Sequence, residues 1–287
     1  MQLDLNEPVT GETNSKKYPA YCTLNNGIQM PFLGLGVYDM HQKEAERAVL
    51  DAFEIGYLLI DTASMYGNEL EIGHAINRSN IQRTEIFLTT KLNNTDHGFD
   101  ETLRAFDKSL KLLGQEYIDL YLIHWPLKGK RKESWLALEK LYREKRVRAI
   151  GVANYDIALL LELKEYATML PAVNQIEFSP WLFQEAILNY CDAMDIQLQA
   201  YSPLTRGLKF NDPRLLLLCN KYNKTPAQMV LRWHLAHGIS PIPKSTKKER
   251  LLENFEANFF SIEASDLLLM DSFNENFRIC DDPHMYL

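Results

Sequence analysis

Eight short apolar runs, each handing over to a helical pattern, restrict this chain more than any other feature. They fall at 33–38, 57–61, 86–91, 118–124, 147–153, 172–176, 196–201 and 239–243. The runs are apolar on both faces rather than at alternate positions, which predicts parallel strands covered by helices. Between them, 44–53 sets Ala45, Ala48, Val49, Ala52 and Phe53 on one helical face. Leu103, Phe106, Leu110 and Leu113 do the same over 102–113, which stops at Gly114. Thr225-Pro226-Ala227-Gln228 reads as a capping box with proline in the first helical turn. Eight such units over roughly 250 residues predict an α/β fold of the (β/α)₈ barrel type. A doubly wound open sheet would want a GxGxxG turn after an early strand. Gly34-Leu35-Gly36 is the only approach to one, and it lacks the third glycine.

Outside the repeat, residues 1–19 read as a flexible tail rich in Asn, Glu, Ser and Lys, leaving 20–287 as a single barrel domain. Asn25-Asn26-Gly27 between short apolar runs predicts a β-hairpin closing the bottom of the barrel. Segments 204–218 and 274–287 are expected as irregular stretches folding over one mouth. A net charge of −7 argues against nucleic acid or an anionic membrane surface as partner, though it allows a local basic pocket. No apolar run is long enough to span a bilayer, and the N-terminus has no secretory pattern. Four cysteines without CxxC or framework spacing predict buried free thiols in a reducing cytoplasm. With no long apolar surface stripe, a monomer is expected.

Barrel enzymes build their sites at the C-terminal ends of the strands. In this chain those ends carry Asp61 with Tyr66 just beyond, then Lys91, His124, Asn154, Gln175, Tyr201-Ser202 and Lys244-Ser245. Each has a plain structural explanation taken singly, as a cap or a satisfied core polar group. Their convergence at one end points to a site. Asp61, Tyr66, Lys91 and His124 suit proton transfer. A phenol titrates near 10, too weak an acid for neutral pH unless assisted. A lysine ammonium ~4 Å away, at an effective dielectric of ~20, favours the phenolate by roughly 4 kcal/mol. The expectation is therefore that Lys91 lowers Tyr66, with Asp61 keeping the lysine charged against burial. His124 would hold a carbonyl oxygen near the phenol. Such a group protonates an oxygen as hydride reaches its carbon.

A hydride source is then required. Pro243-Lys244-Ser245-Thr246-Lys247-Lys248-Glu249-Arg250 is locally basic in an acidic chain and lies where a strand hands over to a helix N-terminus, a place that favours phosphate. Lys244 offers a point charge, Ser245 a hydroxyl and Arg250 a planar fork. The Tyr201 ring could stack on a flat nicotinamide, and Asn154 and Gln175 are amides suited to its carboxamide.

With these residues in hand the chain resembles the aldo-keto reductases over Leu24 to Pro283. The resemblance is carried by Gly56-Tyr57-Leu58-Leu59-Ile60-Asp61-Thr62-Ala63, Tyr66-Gly67-Asn68-Glu69, Thr89-Thr90-Lys91-Leu92 and Leu122-Ile123-His124-Trp125-Pro126. Gly151-Val152-Ala153-Asn154, Ala200-Tyr201-Ser202-Pro203-Leu204 and Ile242-Pro243-Lys244-Ser245 with Arg250, Glu253 and Asn254 complete it. It implies NADPH-dependent reduction of a small-molecule aldehyde or ketone, with Tyr66 as general acid tuned by Lys91 and Asp61 and with His124 orienting substrate. It further implies that Asn154 and Gln175 bind the nicotinamide carboxamide and that Tyr201 stacks on the ring. Ser202 and Leu204 would line the pyrophosphate. Lys244, Ser245 and Arg250 would meet the adenosine 2′-phosphate, Glu253 and Asn254 the adenine, and Tyr38 and Trp125 would wall the substrate pocket. Three positions depart from the family pattern. Ala153 stands where Ser is usual, Val37 where Thr is common, and Arg206 where a small residue lines the pyrophosphate, adding a charge there.

Two other readings stay open at this stage. A barrel that binds NADPH in a regulatory or scaffold role with little turnover would carry the same cofactor residues. A Schiff-base lyase would use Lys91 as a neutral nucleophile, which Asp61 opposes. His234 and His237 lack a third ligand and read as core and surface histidines, so no metal is expected. The run 128–132 reads as a basic exposed loop without interleaved aromatics.

Overall fold

The computed structural model describes residues 21–286, so the expected tail over 1–19 lies outside the described residues. The hairpin comes first. β1 (Tyr21–Thr23) and β2 (Gln29–Pro31) pair antiparallel, with Cys22 opposite Met30. The Asn25 and Asn26 side-chain amides donate to Pro171 O (3.0 Å) and Arg148 O (2.9 Å), stitching the turn to the N-terminal ends of two barrel strands. Leu24, Met30 and Phe32 then pack beneath Leu120, Leu122 and Ala149.

Eight parallel strands follow in ring order: β3 (Gly34–Gly36), β4 (Leu59–Asp61), β5 (Phe87–Leu92), β6 (Ile118–Ile123), β7 (Val147–Ala153), β8 (Val173–Glu177), β9 (Gln197–Tyr201) and β10 (Ser240–Pro241). Each lies within or next to one of the apolar runs, and the strands are buried almost throughout. The seam between first and last strands is made by Gly36, whose N–H donates to Pro243 O at 3.1 Å. A Cβ on Gly36 would sit 2.8 Å from Ile242 O. The glycines of the incomplete nucleotide-binding motif thus serve barrel closure, because only a bare backbone fits between these strands.

The helices are α1 (Gln42–Ile55), α2 (Glu69–Arg78), α3 (Phe99–Leu113), α4 (Arg131–Arg143), α5 (Ile157–Tyr166), α6 (Glu185–Ala193), α7 (Pro213–Tyr222), α8 (Pro226–Ala236), α9 (Lys248–Phe255) and α10 (Ala264–Asp271). The apolar stripe expected for α1 is the buried one. α3 ends at Gly114, which takes the left-handed conformation (φ 60°). α8 opens on the reciprocal Thr225–Gln228 cap. The segment 204–218 is not wholly irregular. Asp212 accepts from Arg214 N at 2.9 Å and Pro213 occupies the first turn, so α7 begins inside it. Arg131, expected in an exposed loop, begins α4 and pairs with Glu162.

Among the described residues no helix is long and apolar enough to cross a membrane, and no group of three or more His, Cys, Asp or Glu is placed to hold a metal ion. His234 is a core residue, with Nδ1 2.8 Å from Val230 O and Nε2 3.0 Å from Phe178 O. All four cysteines are free thiols, but Cys280 is only half-buried.

Burial also stores a pH dependence. His97, between β5 and α3, has Nδ1 3.2 Å from Ser134 Oγ and no partner at Nε2 among the described residues. Burial lowers its imidazole to about 4. The unfolded chain, titrating near 6.5, takes up this proton first, so the neutral imidazole stabilises the fold above pH ~6.5 and that stability is lost as pH falls towards 4. The loss from pH ~7 to ~4.5 is about 2 kcal/mol. Urea unfolding of His97→Phe should show a pH-dependent loss smaller by that amount. An unchanged difference between the two pH values would exclude His97 as its source.

Candidate active site

Asp61 ends β4, Lys91 lies near the end of β5 and His124 follows β6, while Tyr66 closes the short 3₁₀ turn Ser64–Tyr66. Two brackets hold that turn, the second of them buried. Ser64 Oγ donates to Lys91 O (2.9 Å). Asn68 accepts from Thr62 Oγ1 (2.7 Å) and donates to Val37 O (2.9 Å) and Met40 O (3.0 Å), tying the turn to the loop that carries Tyr38. Val37, one of the departures from the family pattern, thus contributes its backbone there.

Lys91 is completely buried, and its ammonium has three partners. Nζ donates to Asp61 Oδ1 (2.5 Å), Thr62 O (2.9 Å) and Tyr66 Oη (3.3 Å). These account for its three hydrogens. Tyr66 Oη is an acceptor towards Lys91, so the phenolic hydrogen is left to point elsewhere. The His124 ring lies edge-on to Tyr66 at 5.7 Å, and Tyr38 packs on the phenol at 5.1 Å. Of the four residues expected to transfer a proton, three are joined by hydrogen bonds and the fourth by ring contact.

The electrostatics differ from expectation in one respect. Burial raises Asp61 and lowers Lys91, and each opposes the other's shift. Tyr66, expected to be lowered by Lys91, is pushed well above the ordinary phenol range, by burial first and the Asp61 carboxylate second. The reason is that the lysine is already neutralised by Asp61, so the pair offers the phenol little net positive charge. Tyr66 therefore rests in its acid form. Burial, assisted by the Lys91 cation, holds His124 well below 6.5, hence neutral, with Nδ1 unpartnered among the described residues.

Across the mouth, Asn154 adopts a left-handed backbone (φ 65°) after β7. Its amide donates to His124 O (2.9 Å) and its oxygen accepts from Tyr201 Oη (2.8 Å). Gln175 Nε2 donates to Asp61 Oδ2 and to Gln199 Oε1, both at 2.7 Å. After β9 the backbone turns through left-handed residues at Ser202, Thr205 and Arg206, with Leu204 half-buried between them. Lys244 and Arg250 are exposed and form no ion pair among the described residues. Ser245 is buried, its Oγ accepting from Lys247 N (3.2 Å). Glu253 is half-buried and Asn254 buried on α9. No hydrogen bond among the described residues links this α9 group to the Lys91 cluster.

Three features were not anticipated from the sequence. Glu177, buried at the end of β8, accepts from the main-chain N–H groups of Ile279 (2.7 Å) and Cys280 (3.1 Å) and so anchors the C-terminal segment. Tyr286 of that segment lies 4.6 Å from the Trp125 ring, making a two-sided aromatic wall. Gln199 is completely buried within β9.

A model of the Aldo/keto reductase family matches residues 33–275. The glyoxal reductase of Bacillus subtilis is 44% identical over 261 residues, spanning 91% of this chain and 95% of that protein. A 9,11-endoperoxide prostaglandin H2 reductase of Trypanosoma cruzi is 45% identical over 265 residues, spanning 91% and 94%. The crystal structure of a Bombyx mori aldo-keto reductase in complex with NADP superposes with a TM-score of 0.86 at 34% identity, covering 92% of this chain and 96% of that one. By family model, sequence and fold, the chain belongs to the aldo-keto reductase family of oxidoreductases.

Proposed function

We propose that this protein reduces aldehydes or ketones to alcohols with NADPH, Tyr66 acting as general acid. The observation carrying this reading is Lys91 Nζ bonded at once to Asp61 and to Tyr66 Oη beside a neutral His124. The phenol rests protonated, as an acid for reduction must. Lys91 offers a donor to the phenolate oxygen as the proton leaves. His124, neutral, can hydrogen-bond a carbonyl oxygen without carrying charge to it. Tyr38, Trp125 and Tyr286 form an apolar wall suited to a small carbonyl compound. All three Lys91 hydrogens are engaged, which disfavours the lysine as a Schiff-base nucleophile.

The residues suit NADPH. Bound, it supplies hydride to the carbonyl carbon. Gln175 has both amide hydrogens committed inside the barrel and its oxygen left over, the acceptor a nicotinamide amide needs. Asn154 and the Tyr201 ring stand beside it. Ser202, Leu204 and Arg206 would follow the pyrophosphate along the left-handed turn. Lys244, Ser245 and Arg250, with two exposed and unpaired cations, fit the 2′-phosphate, and Glu253 and Asn254 the adenine.

The direct test is NADPH oxidation, followed by absorbance, over a panel of small aldehydes, dicarbonyls and ketones. Turnover on several is expected. Tight NADPH binding without oxidation by reactive aldehydes in a single turnover would instead indicate a regulatory or scaffold barrel. The cofactor preference has its own check. Arg250→Met should weaken NADPH about tenfold and NADH less than about twofold, as loss of one guanidinium–phosphate contact requires. Equal losses would remove Arg250 from the 2′-phosphate site.

A further inference from the structure

A polar thread crosses the inside of the barrel. Ser240 on β10, Gln199 on β9 and Gln175 on β8 are register neighbours. Asp61 stands on β4, four strands from β8 in the ring of eight and therefore on the opposite wall. Gln175 Nε2 bridges the interior to Asp61 Oδ2 (2.7 Å) and bonds sideways to Gln199 Oε1 (2.7 Å). Gln199 Nε2 continues to Ser240 Oγ (3.2 Å). All four side chains are buried.

The direction of every bond follows from one end. An ionised carboxylate only accepts, so the group Gln175 turns to Asp61 is its NH₂. The second hydrogen of that NH₂ needs an acceptor, which makes the facing group on Gln199 its carbonyl. The Gln199 NH₂ is then left to donate to Ser240. With both hydrogens consumed, Gln175 keeps only its oxygen for a ligand, and that oxygen has no partner among the described residues. Without Gln199, one Gln175 hydrogen would be stranded in the interior and the carboxamide freed to rotate.

We propose that Gln199 is a positioning residue, fixing the Gln175 carboxamide in the single orientation that supports Asp61 and presents an acceptor to the nicotinamide amide. This rests on the NADPH reading above. It makes Gln199 a determinant of how the nicotinamide half of the cofactor is held, although Gln199 is itself completely buried inside the barrel.

Isothermal titration of the full-length protein with NADP⁺ and with adenosine 2′,5′-bisphosphate, which lacks the nicotinamide, separates this role from a merely structural one. Gln199→Met, nearly isosteric but without polar atoms, should bind NADP⁺ about tenfold more weakly and the bisphosphate within about twofold of the parent. Should it fail to fold, Gln199→Asn keeps an amide but withdraws it by one methylene, and the same selective loss is expected. Equal weakening of both ligands, or parental NADP⁺ binding in a folded variant, overturns the proposal. Tyr66→Phe tests the underlying reading separately. If Tyr66→Phe abolishes turnover while the Gln199 variants bind normally, only the Gln199 inference fails. If the parent protein does not bind NADP⁺, or Tyr66→Phe keeps its rate, the reading itself fails.

Discussion

Tyr66→Phe should lower the rate of carbonyl reduction by about 10²–10⁴-fold, the usual contribution of a positioned general acid. The substitution is clean. The ring contacts with Tyr38 and His124 are preserved, and only the hydroxyl that accepts from Lys91 is lost. Cofactor affinity and melting temperature should therefore change little. That separates an acid role from a packing role. Because burial holds the phenol in its acid form, the parent rate should not fall as pH rises through neutrality, as it would were the phenol strongly lowered. Near-full turnover in Tyr66→Phe would defeat the assignment.

The second large effect concerns the pair behind the phenol. Lys91→Met leaves the Asp61 carboxylate buried at 2% exposure with Gln175 as its remaining side-chain donor. Removing one partner of a buried pair costs about 3–5 kcal/mol. Unfolding by urea should report a loss of that size, with carbonyl reduction suppressed alongside it. Adding Asp61→Leu to the Lys91→Met protein should restore more than half of the stability, because an apolar replacement of both charges removes the stranded carboxylate. It should restore none of the activity. A double variant no more stable than the single one would show that the stranded charge is not what destabilises it.

These experiments bear on what the chain reveals before it is folded. The strands were legible because helices bury their outer face and the barrel's own core buries the inner one, which leaves continuous apolar runs such as 118–123 and 147–153. The cluster of Asp61, Tyr66, Lys91 and His124 was legible because barrel topology collects strand ends, so position along the run predicts proximity in space. α7 was hidden, since its start is marked only by Asp212-Pro213 inside a segment without clear periodicity. The Tyr66 shift was misjudged in sign. Sequence order supplies a neighbouring cation but not the net charge of the Lys91–Asp61 pair or the depth at which it lies. Gln199 and Glu177 were missed for a related reason. Their partners, Gln175 and Ser240 for the one and the main chain of Ile279 and Cys280 for the other, are set by strand register and by the return of the C-terminus, neither of which leaves a local pattern.

The grip of Glu177 on the returning chain has a bearing on how such a protein diversifies. Its carboxylate grasps two backbone amides, which every residue except proline possesses, and pairs with one side chain of the strap, the Arg278 guanidinium at 3.5 Å, so beyond that ion pair the clasp does not depend on what it holds. Side chains beyond Arg278, Tyr286 among them, can accordingly be exchanged while the strap stays fastened. A lineage of such barrels, or an engineer, can thus repaint the aromatic face around Trp125 and leave the Lys91 cluster untouched.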